Sequence, residues 1–327
     1  LGIGAPKEYG GTDMGHVAHL IATEEISRVY PPLGFILQTA QVGAYALQTY
    51  GTEEQRGKYL PPLCKGEKII CTAVTEPSGG SDPAAIQTTA ELVGEEFVIN
   101  GRKVFISSAE VADLGAILAK TGDKFNYILV EKGTPGFEVP RREEIPGFRS
   151  LPLNEIAFTN CHVPKANLIG EEGQGLGAAM TAISIIGRIG VAGIGLGIAK
   201  GCYEAALKFA KERRLYGKHI GELQAIQFAL VDMNVDIETV KWLPYYTAWQ
   251  LDQGKSIREV GADIARAKFV GCDLANKVAL KALQIMGGYG LTPEYHIIRR
   301  LKDALQLFPT DGTQEIMKVL IGRSIMA

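Results

Sequence analysis

The hydrophobic period of this chain of 327 residues changes twice, and those two changes constrain its fold more than any single motif does. From Lys68 to Val163 the chain alternates short apolar runs with turn residues, as strands do. Before and after that stretch, apolar residues recur at helical spacing. Roughly ninety residues of short strands are typical of a small β-barrel or sandwich. The sequence therefore predicts a helical part, a β part and a second helical part, in that order.

The first helical part carries clear start and stop signals. Helices are predicted over His16–Ser27 and Leu37–Tyr50, and the capping-box pattern from Thr52 to Gln55 begins a third, which we expect to end before Pro61. Short loops between the helices of the second part favour antiparallel neighbours in a bundle. The four long helices predicted there are Gly177–Arg213, Gly221–Gln253, Ser256–Met286 and Thr292–Leu307 onward.

Two glycine patterns make local predictions. Asn100-Gly101 lies between the alternating runs Phe97–Ile99 and Lys103–Ile106, which predicts a β-hairpin at that dipeptide. Glycines at positions 193, 197 and 201 leave one face of a helix without side chains. Because no strand precedes these three glycines and no helix begins there, close packing of another helix is favoured over a dinucleotide fingerprint. Further strands are predicted at Lys68–Thr75, Thr88–Val93, Leu114–Lys120, Tyr127–Glu131, Phe137–Pro140 and Asn154–Val163.

The composition is that of an ordinary soluble globular protein, since 46% of the residues are hydrophobic and 21% are charged. A formal net charge of −2 leaves no positive excess for a phosphate backbone, so nucleic acid is not an expected partner. The longest uncharged apolar run, Ile189–Ala199, is too short to cross a bilayer, and no membrane association is expected. The 5 cysteines form no C-x-x-C pair and the 5 histidines no ligand pattern, which favours a reducing compartment and no metal site.

Five segments could carry chemistry, and each also has a plainer interpretation. The loop Thr72–Asp82 exposes backbone N–H groups and hydroxyls that suit carbonyls or phosphates, or it is only a loop. Phe105–Ser107 could flank a flat heterocycle or belong to the core. The guanidiniums of Arg213–Gly217 suit a pyrophosphate, and the glycines of Gln284–Gly290 allow close approach of a ligand, although helix ends explain both. Asp311, on a short loop between helices, is a candidate base or a simple turn residue.

The order of these motifs is more specific than any one of them. Thr-Glu-Pro-x-x-Gly-Ser-Asp from Thr75, Arg-x-x-Tyr-Gly from Arg213, Gln-x-x-Gly-Gly-Tyr-Gly from Gln284 and Asp-Gly-Thr-x-Glu-Ile from Asp311 together resemble the acyl-CoA dehydrogenase family. The resemblance covers essentially the whole chain. It implies an α+β multidomain fold with an N-terminal helical domain (1–67), a middle β-barrel domain (68–165) and a C-terminal four-helix bundle (166–327). The chain begins without methionine at Leu1, and we expect about two N-terminal helices of the family to be absent.

The resemblance also implies FAD as cofactor and assigns residues to it and to the CoA thioester. Because the family shares its FAD sites between subunits, a homotetramer is expected. Residues implied to contact the flavin ring are Val74, Thr75, Phe105 and Ser107, with the Ser107 hydroxyl near flavin N5. Residues implied for the rest of the dinucleotide are Arg213, Tyr216, Gln224, Gln284, Gly287, Gly288, Thr313 and Glu315. Residues implied for the substrate are Ser81, Arg188, Gly312 and Arg323.

The family's reaction needs a carboxylate. A base removes the α-proton of the thioester while hydride leaves the β-carbon for flavin N5, and the electrons then pass to an electron-transferring flavoprotein. Such an oxidoreductase is expected in the cytoplasm, or in the mitochondrial matrix of a eukaryote. The family's usual base in this loop is glutamate, whereas this chain has Asp311. Members that place the base on the bundle helix have it where this chain has Gly187, so Asp311 is the base that the motifs offer.

One methylene fewer withdraws the carboxylate by roughly 1.5 Å, and a misplacement near 1 Å can cost on the order of a hundredfold in rate. Three hypotheses follow: a ring-bearing acyl group such as cyclohexane- or cyclohexene-carboxyl-CoA brings its C–H closer, the enzyme resembles nitroalkane oxidase, or the chain is an impaired FAD-binding subunit. Ser81, Arg188 and Arg323 keep the CoA-facing pattern, which favours the cyclic substrate. Ile185 stands where many members have an aspartate, and it makes that region more apolar.

Overall fold

The computed structural model describes residues 1–326 and confirms the predicted order of helical, β and helical parts. The helices are α1 (Gly15–Val29), α2 (Pro31–Tyr50), α3 (Glu53–Lys65), α4 (Gly175–Ala182), α5 (Ile189–Glu212), α6 (Gln224–Val240), α7 (Trp242–Asp252), α8 (Ile257–Met286), α9 (Ile297–Gln306) and α10 (Gln314–Met326). The strands are β1 (Ile70–Ala73), β2 (Thr89–Val93), β3 (Glu96–Ser107), β4 (Leu114–Thr121), β5 (Lys124–Glu131), β6 (Phe137–Arg142), β7 (Leu153–Pro164), β8 (Arg214–Leu215) and β9 (Lys218–His219).

The contacts divide the chain into two compact units. The first consists of Leu1–Ala18, Ile36–Glu144 and Ser150–Gly187, and the second of His19–Phe35, Ile145–Arg149 and the chain from Arg188 onward. Strands β1 to β7 of the first unit form one seven-stranded sheet in the order β1-β4-β2-β3-β7-β6, with β5 paired to β4. Alternate residues of these strands point into a common apolar core. That core includes Phe97, Ile99, Ile117, Ile128, Val130, Ile156, Phe158 and Val163.

The hairpin predicted at Asn100-Gly101 is wrong, because both residues lie inside the single strand β3. The hairpin loop is instead Gly94-Glu95, between β2 and β3, where Val93 pairs with Glu96 and Gly94 has φ +62°. Gly101 serves a close approach: a Cβ there would lie 2.7 Å from the Thr88 Cα. The glycine was therefore needed for packing, and not for a turn.

Three predicted helix limits are also corrected. Helix α3 continues through Pro61 and Pro62 to Lys65, although neither proline can donate to the carbonyl four residues before it, and the left-handed Gly66 caps it. The helix predicted over Gly221–Gln253 is two helices, α6 and α7, because Pro244 cannot donate to the carbonyl of Val240 and the helix breaks at Lys241. The helix predicted from Thr292 begins only at Ile297, after a 3₁₀ turn over Pro293–Tyr295.

The glycines of α5 confirm the prediction of close helix packing in the second unit. A Cβ at Gly197 would overlap the carbonyl oxygen of Glu24 on α1, and one at Gly201 would overlap that of Arg28. Helices α4 and α5 and the π-helical turn Ile183–Arg188 form one continuous helix, Gly175–Glu212, which is long and apolar enough to cross a bilayer. Because 89% of its most apolar window is buried inside the protein, it is a core helix of the fold.

Candidate active site

Asp311 lies in the loop between α9 and α10, in a backbone conformation that non-glycine residues rarely adopt. Its φ is +53° and that of Gly312 is +104°. The Arg188 Nε–H, at the end of the π-helical turn, donates to the Asp311 carbonyl oxygen at 3.0 Å. The Asp311 carboxylate raises the pKa of Arg188, while burial, the larger effect, lowers it. A guanidinium stays charged in proteins, so this contact places a fixed positive charge beside the candidate base.

The Asp311 loop also meets a residue that the sequence reasoning missed. Lys268, a wholly buried residue of α8, donates from Nζ to the Phe308 carbonyl at 2.9 Å and to the Gly312 carbonyl at 2.8 Å. The signal was present in the sequence, because Lys268 continues the buried stripe of Ile264 and Cys272 at a spacing of four residues. A lysine at an apolar position of a helix therefore indicated a specific internal partner.

Four predicted dinucleotide residues of the second unit line one cleft of about 440 Å³: Arg213, Gln284, Gly287 and Gly288. Gly287 has φ +56° and ends α8 with its backbone exposed, as a close approach of phosphate would require. The Arg213 guanidinium lies 5.2 Å from the centre of the Tyr289 ring in the same cleft. A guanidinium beside exposed glycine backbone fits a pyrophosphate.

The other predicted dinucleotide residues lie outside that cleft. Tyr216, at the β8–β9 turn, is 89% exposed, and Gln224 is exposed at the start of α6. Thr313 and Glu315 line a second cleft of about 500 Å³, together with Phe269 and Phe308. Exposed positions of this kind suit a cofactor that is shared with another copy of the chain.

The residues predicted to contact the flavin ring come together in the first unit, where β1 ends beside a bulge in β3. The Val104 N–H donates to the Thr75 carbonyl at 2.9 Å. Next to this bond, Phe105 has φ +57° and is 58% exposed, and Ser107 is partly exposed. An outward aromatic ring beside a hydroxyl fits a flat heterocycle, whereas Val74 is buried and can offer mainly its backbone.

A buried ion pair supports this predicted flavin-facing surface, and the sequence reasoning missed it too. The Lys103 Nζ lies 2.8 Å from Glu76 Oε1 and donates to the Val74 carbonyl at 3.1 Å. Glu76 also accepts from the backbone N–H groups of Gln87 and Thr88. Burial lowers the pKa of Lys103 to about 8, against the opposing effect of Glu76. Burial raises the pKa of Glu76, but its hydrogen bonds outweigh burial and hold that pKa below the ordinary value.

Of the residues predicted for the CoA thioester, two are exposed and two lie next to each other. Ser81 is exposed on the loop after β1, and Arg323 is exposed on α10. Gly312 adjoins the Arg188 side chain, since a Cβ at Gly312 would lie 3.7 Å from Arg188 Nη2. Among residues 1–326, no group of three His, Cys, Asp or Glu side chains could hold a metal ion.

Comparison with known proteins gives consistent matches along the chain. Models of the N-terminal, middle and C-terminal domains of acyl-CoA dehydrogenase match residues 1–67, 71–161 and 173–326. The chain is 39% identical to the short-chain-specific acyl-CoA dehydrogenase of Clostridium acetobutylicum, over 99% of this chain and 86% of that protein. It is 34% identical to the CarC subunit of the caffeyl-CoA reductase–Etf complex of Acetobacterium woodii, over 100% of this chain and 86% of that protein. The structure of butyryl-CoA dehydrogenase from Megasphaera elsdenii superimposes with a TM-score of 0.96 at 32% identity, covering 100% of this chain and 87% of that chain.

Proposed function

This chain belongs to the acyl-CoA dehydrogenase family, whose members are FAD-dependent oxidoreductases, and we propose that it dehydrogenates an acyl-CoA at its α and β carbons with Asp311 as the base. The observation that carries the proposal is the setting of Asp311. Its strained loop is held by two buried or partly buried cations, Arg188 and Lys268. A fixed carboxylate between fixed charges suits proton abstraction at a defined carbon.

The proposed mechanism assigns each step to residues of this chain. Asp311 takes the α-proton of the thioester, and Arg188 and Arg323 orient the CoA part. When bound, FAD supplies the N5 atom that accepts hydride from the β-carbon. Arg213 and the exposed backbone of Gly287 hold the dinucleotide, in keeping with the cleft that they line.

We also propose that the acyl group is cyclic, of the cyclohexane- or cyclohexene-carboxyl type. The support is the length of the Asp311 side chain, which is shorter by one methylene than the glutamate expected there. A rigid ring brings its α-C–H closer to the carboxylate than a flexible chain does. Anaerobic mixing with butyryl-CoA, octanoyl-CoA and cyclohexane-carboxyl-CoA tests this proposal. We expect the cyclic thioester to reduce the flavin fastest; faster reduction by butyryl-CoA defeats the cyclic proposal and favours a short straight chain.

Lengthening the base should change the substrate preference. In the variant Asp311→Glu, the carboxylate reaches about 1.5 Å further, and we expect the ratio of butyryl-CoA to cyclohexane-carboxyl-CoA reduction rates to rise by at least about tenfold. The measurement is single-turnover flavin reduction with each thioester. Asp263→Glu makes the same chemical change on α8 at a residue paired with Arg266, and it should leave the ratio unchanged. An unchanged ratio in Asp311→Glu would count against the length argument.

We propose an electron-transferring flavoprotein as the electron acceptor, since the Acetobacterium relative is a subunit of a reductase–Etf complex.

We further propose that the chain forms a homotetramer. Exposed large apolar side chains on α6 and α7 support this assembly: Phe228, Val231, Val235, Trp242, Tyr246 and Trp249. Large exposed apolar surface marks protein interfaces.

The tetramer has a direct test. Sedimentation equilibrium should give four times the chain mass of 35.2 kDa. The double variant Phe228→Glu/Val231→Glu buries charge in the proposed interface and should produce smaller species, whereas Lys255→Glu, an exposed loop change, should not. A tetramer that is unaffected by the double variant would place the interface elsewhere.

A further inference from the structure

Lys268 is unusual because its ammonium is wholly buried and all its hydrogen-bond acceptors lie on one short segment. Its Nζ donates to the Phe308 carbonyl at 2.9 Å, the Gly312 carbonyl at 2.8 Å and Gln314 Oε1 at 3.2 Å. An ammonium has three hydrogens, so these bonds use its full donor capacity. The bonded positions bracket Asp311 on both sides.

The segment depends on α8 for its shape. Gln314, the third acceptor, is itself fixed, because its Nε2 donates to the Phe269 carbonyl at 3.1 Å and to Asp273 Oδ1 at 3.0 Å. One turn beyond Lys268, the Cys272 Sγ contacts the Leu307 carbonyl at 3.4 Å. Without the ammonium, the carbonyls of Phe308 and Gly312, on either side of the left-handed Asp311, would lose this donor.

The charge of Lys268 acts on the same carboxylate. The pKa of Lys268 is lowered, chiefly by burial and also by the charge of Arg188. Cys272 and the Asp311 carboxylate act in the opposite direction and raise that pKa. These groups come from α8, from the loop and from the π-helical turn, and they form a compact electrostatic cluster around the candidate base. An apolar residue would fill the position on α8 at a lower desolvation cost, so packing alone does not explain a lysine here.

We infer that Lys268 is a positioning residue for Asp311: it sets the backbone of the catalytic loop through three hydrogen bonds and stabilises the ionised form of the base. This inference rests on the proposed function, because it takes Asp311 as the base. It makes two separable claims, one about the geometry of the loop and one about charge.

The test uses the FAD-loaded enzyme and the variants Lys268→Met and Gln314→Met. Lys268→Met should bind FAD, speed amide hydrogen exchange over residues 308–314, lower the flavin-reduction rate about a hundredfold and move the rate–pH profile to higher pH. Gln314→Met removes one acceptor and leaves the ammonium in place. Compared with Lys268→Met, it should therefore cause a smaller increase in amide hydrogen exchange and a smaller loss of flavin-reduction rate, and it should leave the rate–pH profile unchanged. Lys277→Met, on the exposed side of α8 where Lys277 pairs with Asp236, is the control.

The outcomes separate the inference from the function on which it rests. A Lys268→Met enzyme with wild-type exchange, rate and pH profile, beside an inactive Asp311→Asn enzyme, overturns the role of Lys268 alone. An active Asp311→Asn enzyme overturns the base assignment itself. If Lys268→Met does not fold, Gln314→Met decides: wild-type exchange and rate in that variant overturn the inference.

Discussion

Replacing Asp311 with asparagine should lower the rate of flavin reduction by an acyl-CoA at least about a thousandfold, within the range that general-base catalysis contributes. The amide has nearly the shape of the carboxylate but cannot take the α-proton. Arg188 and Lys268 donate to the backbone carbonyls of Asp311 and Gly312, which the substitution keeps, so the loop should keep its conformation. Anaerobic stopped-flow absorbance with the best thioester of the panel measures the rate.

FAD content, measured by flavin absorbance, should be unchanged in Asp311→Asn, because the cleft proposed to hold the dinucleotide is lined by other residues. Asp263→Asn is the matched control and should retain the wild-type rate. Hydrogen peroxide release from a nitroalkane would favour the oxidase hypothesis. Bound FAD that no acyl-CoA reduces in the wild type would favour an impaired subunit.

The second large effect is expected at the buried ion pair of the first unit. Replacing Lys103 with methionine should lower the free energy of unfolding by about 3–5 kcal/mol, since it leaves Glu76 as a buried charge without its cation. The two side chains are 0% and 2% exposed, and Lys103 also donates to the carbonyl of Val74, at the surface predicted to face the flavin. We therefore expect weaker FAD binding as well. Urea unfolding and FAD titration of the apoprotein measure the two effects.

Two further variants make the Lys103 prediction specific. Lys103→Met/Glu76→Gln removes both charges and should recover part of the lost stability. Lys58→Met breaks an exposed pair with Glu131 and should cost no more than about 1 kcal/mol. If Lys103→Met costs no more than Lys58→Met does, the buried pair does not stabilise the sheet.

The hydrophobic period was sufficient to predict the three-part order of the fold, because each part buries its apolar residues with its own spacing. The same spacing holds a signal for the two buried lysines, which the sequence predictions did not include. Lys103 continues the inward alternation of Phe97 and Ile99 on β3, and Lys268 lies on the buried stripe of α8. The sequence alone does not reveal which residues pair with these lysines, because the partners are distant along the chain. Glu76 lies 27 residues from Lys103, and Gly312 lies 44 residues from Lys268.

Local signals failed where a distant contact decided the conformation. Asn100-Gly101 has the composition of a hairpin turn, but Gly101 is required by its approach to Thr88 from the preceding segment. The prediction that Asp311 lies on a loop between two helices is confirmed. The backbone strain at Asp311 and the hydrogen bond from Lys268 to the neighbouring Gly312 carbonyl became visible only in three dimensions.

The most direct test of Asp311 as the base separates proton removal from hydride transfer. A 3-thia-acyl-CoA keeps an acidic α-C–H but carries sulfur in place of the β-carbon, so it can lose a proton and cannot give up hydride. Incubated with the FAD-loaded enzyme in deuterium oxide and followed by mass spectrometry, it should gain deuterium at the α-carbon with the wild type and at the background rate with Asp311→Asn. Equal deuterium incorporation by both proteins would contradict the assignment of Asp311.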